Sequence, residues 1–350
     1  MSPKACPAHS PTLYTAGPGW LDAAITAVVS GGGVVYAPTA IDNGTVQLAP
    51  TTSAATVKLD YVNNRLPLKA VLFPQTETLL SYKKSGGGGV QVAVADPPPA
   101  EILVLGCRPC DAAAMQLLDT VFQWDYDDVP YQRRRGNTTL VSFACAKPGP
   151  YCFCGAVGGS PADERGSDVL ATLNADGSAV LKSVTERGGQ FVQRLGAAVK
   201  PATSPAAPQQ AAPGPEPVDL ERVRAWLDNN FASDLWGEVA LRCLGCGVCT
   251  YLCPTCHCFD IVDEAAWNHG ERRRNWDSCA FRMFTVHTSG HNPRPNQTAR
   301  WRQRVMHKFK YFPQRFGHTG CVGCGRCAEK CKAGQNLLDI LRRISQENAS

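Results

Sequence analysis

Apolar residues recur at helical spacing from Trp20 to Val29, and again at Leu220, Val223, Trp226, Leu227 and Phe231, so the pattern predicts amphipathic helices over 20–29 and 218–231. Between them the rhythm is mostly that of short strands. Val34 to Ala37, Val46 to Leu48, Val57 to Leu59, Ile102 to Leu105 and Thr138 to Phe143 are compact apolar and β-branched runs. Val169 to Asn174 and Ala179 to Val184 flank Ala175-Asp176-Gly177 and read as a hairpin. The strand at Ile102 passes through Cys107-Arg108-Pro109 into a predicted helix from Asp111 to Phe122. That strand–turn–helix order places ligands at the carboxyl end of a strand in α/β folds. Helical spacing returns over Gly188 to Val199 and over Leu337 to Ile344. Lys83 to Gly89 is a Gly-rich turn without the Lys-Ser/Thr ending of a phosphate loop, so no nucleotide role is assigned to it.

Pro201 to Pro217 is rich in Pro, Ala and Gln and has no core-forming pattern, so it reads as an extended linker. A chain of 350 residues accommodates a domain on either side. The expected organisation is an α/β (or α+β) domain over 1–200, the linker over 201–217, and a mostly α-helical domain over 218–350. No run of 18 apolar residues is present, so no membrane span is expected. The stretch Met1 to Thr15 lacks the charged start and apolar stretch of a secretion signal, and the expected location is cytoplasmic.

Seventeen cysteines change the picture. Disulfide-dense chains are usually small and secreted, whereas a large chain without an export signal uses cysteine to bind metal. Cys243, Cys246, Cys249 and Cys253, followed by Pro254, form Cys-x2-Cys-x2-Cys-x3-Cys-Pro. Cys321, Cys324, Cys327 and Cys331 repeat that spacing. This is the two-cluster ferredoxin pattern, in which the fourth Cys of each run serves the other cluster. Three thiolates two residues apart wrap one side of an iron–sulfur cube, and the last corner comes from elsewhere. The expected sites are therefore two [4Fe-4S] clusters, one on Cys243, Cys246, Cys249 and Cys331, the other on Cys321, Cys324, Cys327 and Cys253. Gly245, Gly247, Gly323 and Gly325 permit close backbone approach and N–H donors to sulfur. Structural zinc, which usually takes two separated ligand pairs, fits this spacing poorly. The 67 residues between Cys253 and Cys321 predict a long insertion between the cluster loops.

Cys110, Cys145, Cys152 and Cys154 lie on loops after strands and are either ligands of a third cluster or free and buried thiols; spacing alone leaves both open. Cys256, Cys258 and Cys279 with His257 either make another ligand site or pack beside the neighbouring cluster, the latter being favoured because the ligand count is incomplete by cysteine alone. Cys107 is unassigned and Cys6 is read as a free thiol. The segment Glu271 to Arg315 carries eleven Arg or Lys against two acidic residues. It is read as offsetting cluster charge and docking an acidic partner surface; nucleic-acid binding is not expected, since no nucleic-acid motif accompanies it. His287, His291 and His307 are read as surface or hydrogen-bonded residues.

The motifs together resemble those of soluble sulfhydrogenase beta subunits and anaerobic sulfite reductase A subunits. The resemblance runs from about Trp20 to Gln335. It rests on Arg108-Pro109-Cys110-Asp111, Cys145 with Cys152-Phe153-Cys154, Cys243 through Asp260, His291-Asn292-Pro293-Arg294, Arg302 to Phe309, and Cys321 through Cys331. Lys332 departs from it, where a Pro usually follows the last Cys, which bears on loop geometry and not on the ligands. The resemblance implies a non-catalytic electron-transfer subunit that relays electrons between a flavin and NAD(P)H-binding partner and a separate catalytic subunit of hydrogenase or sulfite-reductase type. It also implies a third [4Fe-4S] cluster on Cys110, Cys145, Cys152 and Cys154. The alternative reading is a catalytic iron–sulfur enzyme with a substrate site near Cys256, Cys258 and Cys279.

Overall fold

The computed structural model describes residues 11–94, 99–203 and 217–347. The strands among these are β1 (Thr12–Ala16), β2 (Val34–Ala40), β3 (Val46–Pro50), β4 (Thr76–Lys84), β5 (Val90–Val94), β6 (Ile102–Cys107), β7 (Thr138–Phe143), β8 (Val169–Leu173), β9 (Ala179–Ser183), β10 (Val199–Ala202), β11 (Phe259–Ala265) and β12 (His269–Trp276). Eight of them form one sheet in the order β10-β1-β9-β8-β7-β6-β2-β3. Its centre, β2, β6, β7 and β8, is parallel, and its flanks are antiparallel.

Every residue of β6 and β7 is buried, as the unbroken apolar run of a parallel strand covered on both faces requires. Alternation divides them between two cores. Leu103, Leu105, Val141 and Phe143 join Trp20, Ile25 and Phe191 on one face; Ile102, Val104 and Leu140 join Met115, Leu118 and Phe122 on the other. The expected hairpin at 169–184 is β8–β9. The helix Trp20–Val29 turns Trp20, Leu21, Ala24, Ile25 and Val28 inward, following its predicted spacing.

The second sheet, β11-β12-β4-β5, is antiparallel throughout. It draws two strands from before residues 204–216 and two from after them, so the segments flanking the expected linker share a sheet. The expectation of a mostly helical C-terminal part is corrected here. The insertion between the cysteine runs builds the β11–β12 hairpin before the helix Gln297–Met306. The Gly-rich turn is the tip of the unforeseen β4–β5 hairpin.

Three further expectations are revised. Val57 to Leu59 forms no strand: Val57 makes an isolated bridge to Thr39, and its side chain closes the edge of the core. The helix expected over 188–199 spans Glu186–Arg194, because Gly196 takes a left-handed φ of 56° and the chain re-emerges as β10. Pro201 lies in β10, an edge strand where its missing N–H costs no ladder bond. Residues 204–216 of the linker, and Cys6, lie outside the described residues.

Candidate metal centres

The two cysteine runs fold alike because both read Cys-x-Gly-Cys-Gly-x-Cys. Gly245 and Gly247 have φ of 66° and 75°, and Gly323 and Gly325 have φ of 63° and 75°, a region open to glycine at little cost. A short helix follows each, Val248–Tyr251 and Arg326–Glu329. Cys243, Cys246 and Cys249 line one cavity with Cys331 and Cys327 from the other run. Cys321, Cys324 and Cys327 line a second with Cys253. The fold thus brings together the two interlocked sets, with Cys327 at the wall between them.

The surroundings fit thiolate-held clusters. Neither lining contains a carboxylate or an imidazole. Hydrogen bonds point at sulfur: Gln297 Nε2 to Cys243 (3.1 Å), Gly245 N to Cys243 (3.5 Å), Gly323 N to Cys321 (3.5 Å) and Gln335 N to Cys331 (3.3 Å). Burial pushes the Cys249 and Cys321 thiols up to about 11, so ionising them takes compensating positive charge of the kind iron provides. Among the described residues, no three His, Cys, Asp or Glu side chains close around a single ion position.

Two cations of the basic segment lie within this arrangement. Arg304 and Lys308 are both buried, four residues apart, where the helix Gln297–Met306 widens into a π turn over His307–Tyr311. Arg304 borders both cysteine cavities and donates to the Cys249 carbonyl at 2.9 Å. Lys308 Nζ donates to Cys253 Sγ at 3.3 Å, Thr255 Oγ1 at 2.9 Å and the Gly320 carbonyl at 2.7 Å. Burial opposes the charge on both, but the thiolates around them outweigh it and hold both above their ordinary values. Elsewhere in the segment Arg274 pairs with Glu77 (2.5 Å) and with Asp128, and Arg272 pairs with Asp263 at 2.7 Å. Much of this positive charge is therefore engaged within the chain.

The N-terminal thiols stand at the carboxyl edge of the large sheet. Cys110 follows β6 and Cys145 follows β7, two adjacent parallel strands. Cys145 is pushed up to about 11 by burial, with Cys154 and Cys152 adding to the effect, and Cys110 is raised by burial with a contribution from Cys145. Cys145 is therefore the common electrostatic neighbour of Cys110, Cys152 and Cys154. Cys110 and Cys154 also share a cavity of about 250 Å³ with Cys321, whereas Cys145 and Cys152 do not line it.

The Arg-Pro-Cys-Asp element builds this corner residue by residue. Arg108 lies 3.7 Å from the Tyr61 ring centroid and donates to the Val62 carbonyl at 3.0 Å. Pro109 opens the helix Pro109–Phe122. Asp111, fully buried, takes two hydrogen bonds from Arg326, at 2.8 and 2.5 Å, tying that helix to the second cysteine loop. Cys107 points into the core beside Ser142 Oγ at 3.4 Å, and burial lifts it to about 12. It is a packing thiol.

The Cys-Phe-Cys loop lies directly on the second run. Phe153 N donates to the Gly323 carbonyl at 2.7 Å, Asn63 Nδ2 donates to the Cys324 carbonyl at 2.9 Å, and Phe153 packs in the C-terminal core. A Cβ at Gly323 would fall 2.5 Å from the backbone of Phe153. Gly323→Ala is therefore expected to force the two loops apart and to lower iron content. Iron analysis with low-temperature EPR checks this, and a variant spectrally identical to the parent contradicts the close packing.

Beyond Pro254 a further thiol group faces a cavity of about 290 Å³, lined by Cys256, His257, Cys258, Cys279, Arg294 and His307 among others. Cys256 is buried, its N donates to the Cys253 carbonyl at 3.3 Å, and Arg304 Nη1 donates to its sulfur at 3.8 Å. The proximity of the Cys258 and Cys279 thiols raises the first and lowers the second. Burial lowers His257 to about 4 and His307 to about 3, and their rings stand 5.5 Å apart. His307 thus lines a thiol-bearing cavity and is largely buried. Lys69 was also not foreseen. It reaches from the N-terminal half to the carbonyls of Thr250 (3.3 Å) and Cys256 (2.8 Å), and burial lowers it to about 8. No sequence motif marks a lysine selected by so distant a contact.

Comparison with known proteins finds a two-cluster domain over the C-terminal cysteine runs. Residues 242–335 match the family model of a 4Fe-4S dicluster domain. Over 322 residues the chain is 30% identical to sulfhydrogenase 2 subunit beta of Pyrococcus furiosus, spanning 90% of this chain and 93% of that protein.

Proposed function

The chain belongs to the sulfhydrogenase beta-subunit family of iron–sulfur electron-transfer subunits and carries a 4Fe-4S dicluster domain; from that premise we propose that it relays electrons between a flavin, NAD(P)H-binding partner and a separate catalytic subunit. The supporting observation is the crossing of the two cysteine runs, in which Cys331 joins the cavity of Cys243, Cys246 and Cys249 while Cys253 joins that of Cys321, Cys324 and Cys327. Bound there, two [4Fe-4S] clusters supply one-electron acceptance and donation. The chain's own residues set the conditions. Thiolates fix the positions, N–H groups and the Gln297 amide orient on sulfur, and Arg304 and Lys308 offset negative charge between the sites. The apolar shell of Trp301 and Leu337 restricts water.

In this reading the third [4Fe-4S] site is Cys110, Cys145, Cys152 and Cys154, at the entry or exit of the relay. Its support is the common sheet edge, the mutual effect of the thiols on one another, and the contact of Phe153 with Gly323. The assembly is hetero-oligomeric, as the subunit designation of the relative suggests. Among the described residues no helix is long and apolar enough to cross a membrane. The N-terminal α/β unit and the C-terminal cluster unit are the proposed domains, joined through the shared β11-β12-β4-β5 sheet.

The isolated chain, purified anaerobically, is expected to take up electrons from dithionite, read as bleaching of its visible absorbance. It is expected not to oxidise NADH or hydrogen or to reduce sulfite. Turnover of any of the three by the pure chain contradicts the relay reading.

A further inference from the structure

Cys258 and Cys279 are placed together by the β11–β12 hairpin. Phe259 pairs with Trp276 at its base, and Asp277 N donates to the Cys258 carbonyl at 2.9 Å, so the ladder ends where the two thiols begin. Their thiols are near enough to shift one another's ionisation, both line the same cavity, and Thr250 Oγ1 lies 3.6 Å from Cys279 Sγ. Neither belongs to the eight thiols of the two crossed sets. Both open on the 290 Å³ cavity, whose lining carries Arg294, Arg304 and Lys308 and no carboxylate. The Arg294 guanidinium has no hydrogen-bond or ion-pair partner among the described residues. A vicinal thiol pair in a positively charged, ligand-sized cavity has the elements of a disulfide-exchange site.

We propose that Cys258 and Cys279 form a redox-active dithiol that reduces small, negatively charged disulfides entering this cavity. The Cys279 sulfur, as thiolate, attacks one sulfur of the disulfide RS–SR. A protein–substrate S–S bond forms, the RS–SR bond breaks, and RS⁻ leaves with the bonding electron pair. Cys258 then attacks the Cys279 sulfur, forming the Cys258–Cys279 bond and releasing the second RS⁻. The two thiol protons pass to the two leaving thiolates. The substrate gains two electrons and the protein pair loses two. Resetting the pair takes two electrons and two protons, and only this resetting rests on the relay reading.

The test uses the full chain, purified anaerobically with its iron, reduced with dithiothreitol and desalted. It is mixed with dithiodiglycolate, a small dianionic disulfide, or with cystamine, its dicationic counterpart, then quenched in acid and alkylated. Peptide mass spectrometry is expected to find Cys258 linked to Cys279, formed about tenfold faster with dithiodiglycolate than with cystamine. Cys258→Ser is expected to stop at a mixed disulfide on Cys279, and Cys258→Ser and Cys279→Ser to keep the parent's iron content. Both thiols recovered alkylated after dithiodiglycolate, equal rates with both probes, or iron lost from either variant overturns the proposal. If a variant does not fold, the result with the unsubstituted chain decides alone. Low iron in the unsubstituted chain contradicts the relay reading and leaves the exchange result standing, because exchange uses only the electrons of the thiols.

Discussion

Asp111→Asn is expected to lower folding stability by about 3–5 kcal/mol, because it strands the charge of Arg326 inside the protein. The ion pair is closed to solvent at both ends, with side chains 2% and 0% exposed, so neither partner can turn to water. Arg326 also donates to the Asn64 carbonyl at 2.8 Å, and losing it frees a second N-terminal contact. Arg326→Met should therefore cost a similar amount by leaving Asp111 unpaired. The double change Asp111→Leu with Arg326→Met should recover much of the loss, since it removes both desolvation costs. Guanidinium unfolding followed by circular dichroism under anaerobic conditions checks all three. A loss below about 1 kcal/mol in either single variant would mean that the pair is hydrated in solution. The same variants should lose iron, because the helix bearing Cys110 and the loop bearing Cys324 and Cys327 are held together by this bond.

That ion pair shows where the sequence is silent. The Arg-Pro-Cys-Asp element was visible as a motif, but nothing local tells that its Asp answers an Arg in the other cysteine loop, 215 residues away. The crossed cysteine sets were legible because their spacing encodes a loop geometry, and the same Cys-x-Gly-Cys-Gly-x-Cys word occurs twice. The strands β6 and β7 were legible because a parallel strand buried on both faces needs an uninterrupted apolar run. By contrast β11 (FDIVDEA) mixes apolar with acidic residues and is largely exposed, and β12 (HGERRRNW) is mostly polar. Their pairing draws on cross-strand charge, such as Arg272 with Asp263, and on β4 as a partner. The basic segment was expected to offset charge around the thiols, and two of its cations, Arg304 and Lys308, stand against them. That Arg304 and Lys308 do this, and not their neighbours, depends on the helical phase and the π turn.

Removing either crossing thiol is expected to have the largest effect on the cofactor. Cys331→Ala takes the fourth thiol from the cavity of Cys243, Cys246 and Cys249, and Cys253→Ala does the same to Cys321, Cys324 and Cys327. Three thiolates hold a four-iron cube incompletely, so each variant should lose all or part of one cluster while the other remains. The effect should cross the sequence: a change at position 331 should empty the site formed by residues 243–249. Cys253→Ala also removes one of the three acceptors of Lys308, leaving a buried ammonium with two oxygen partners, and should be the less stable of the two.

Iron analysis and EPR of dithionite-reduced, anaerobically purified Cys331→Ala test the crossed arrangement most directly. The expected result is a loss of up to about four iron per chain, with the spin–spin coupling of two neighbouring reduced clusters replaced by the signal of one. Full iron content with an unchanged, coupled spectrum would show that Cys331 holds no cluster, and the crossed arrangement would fall.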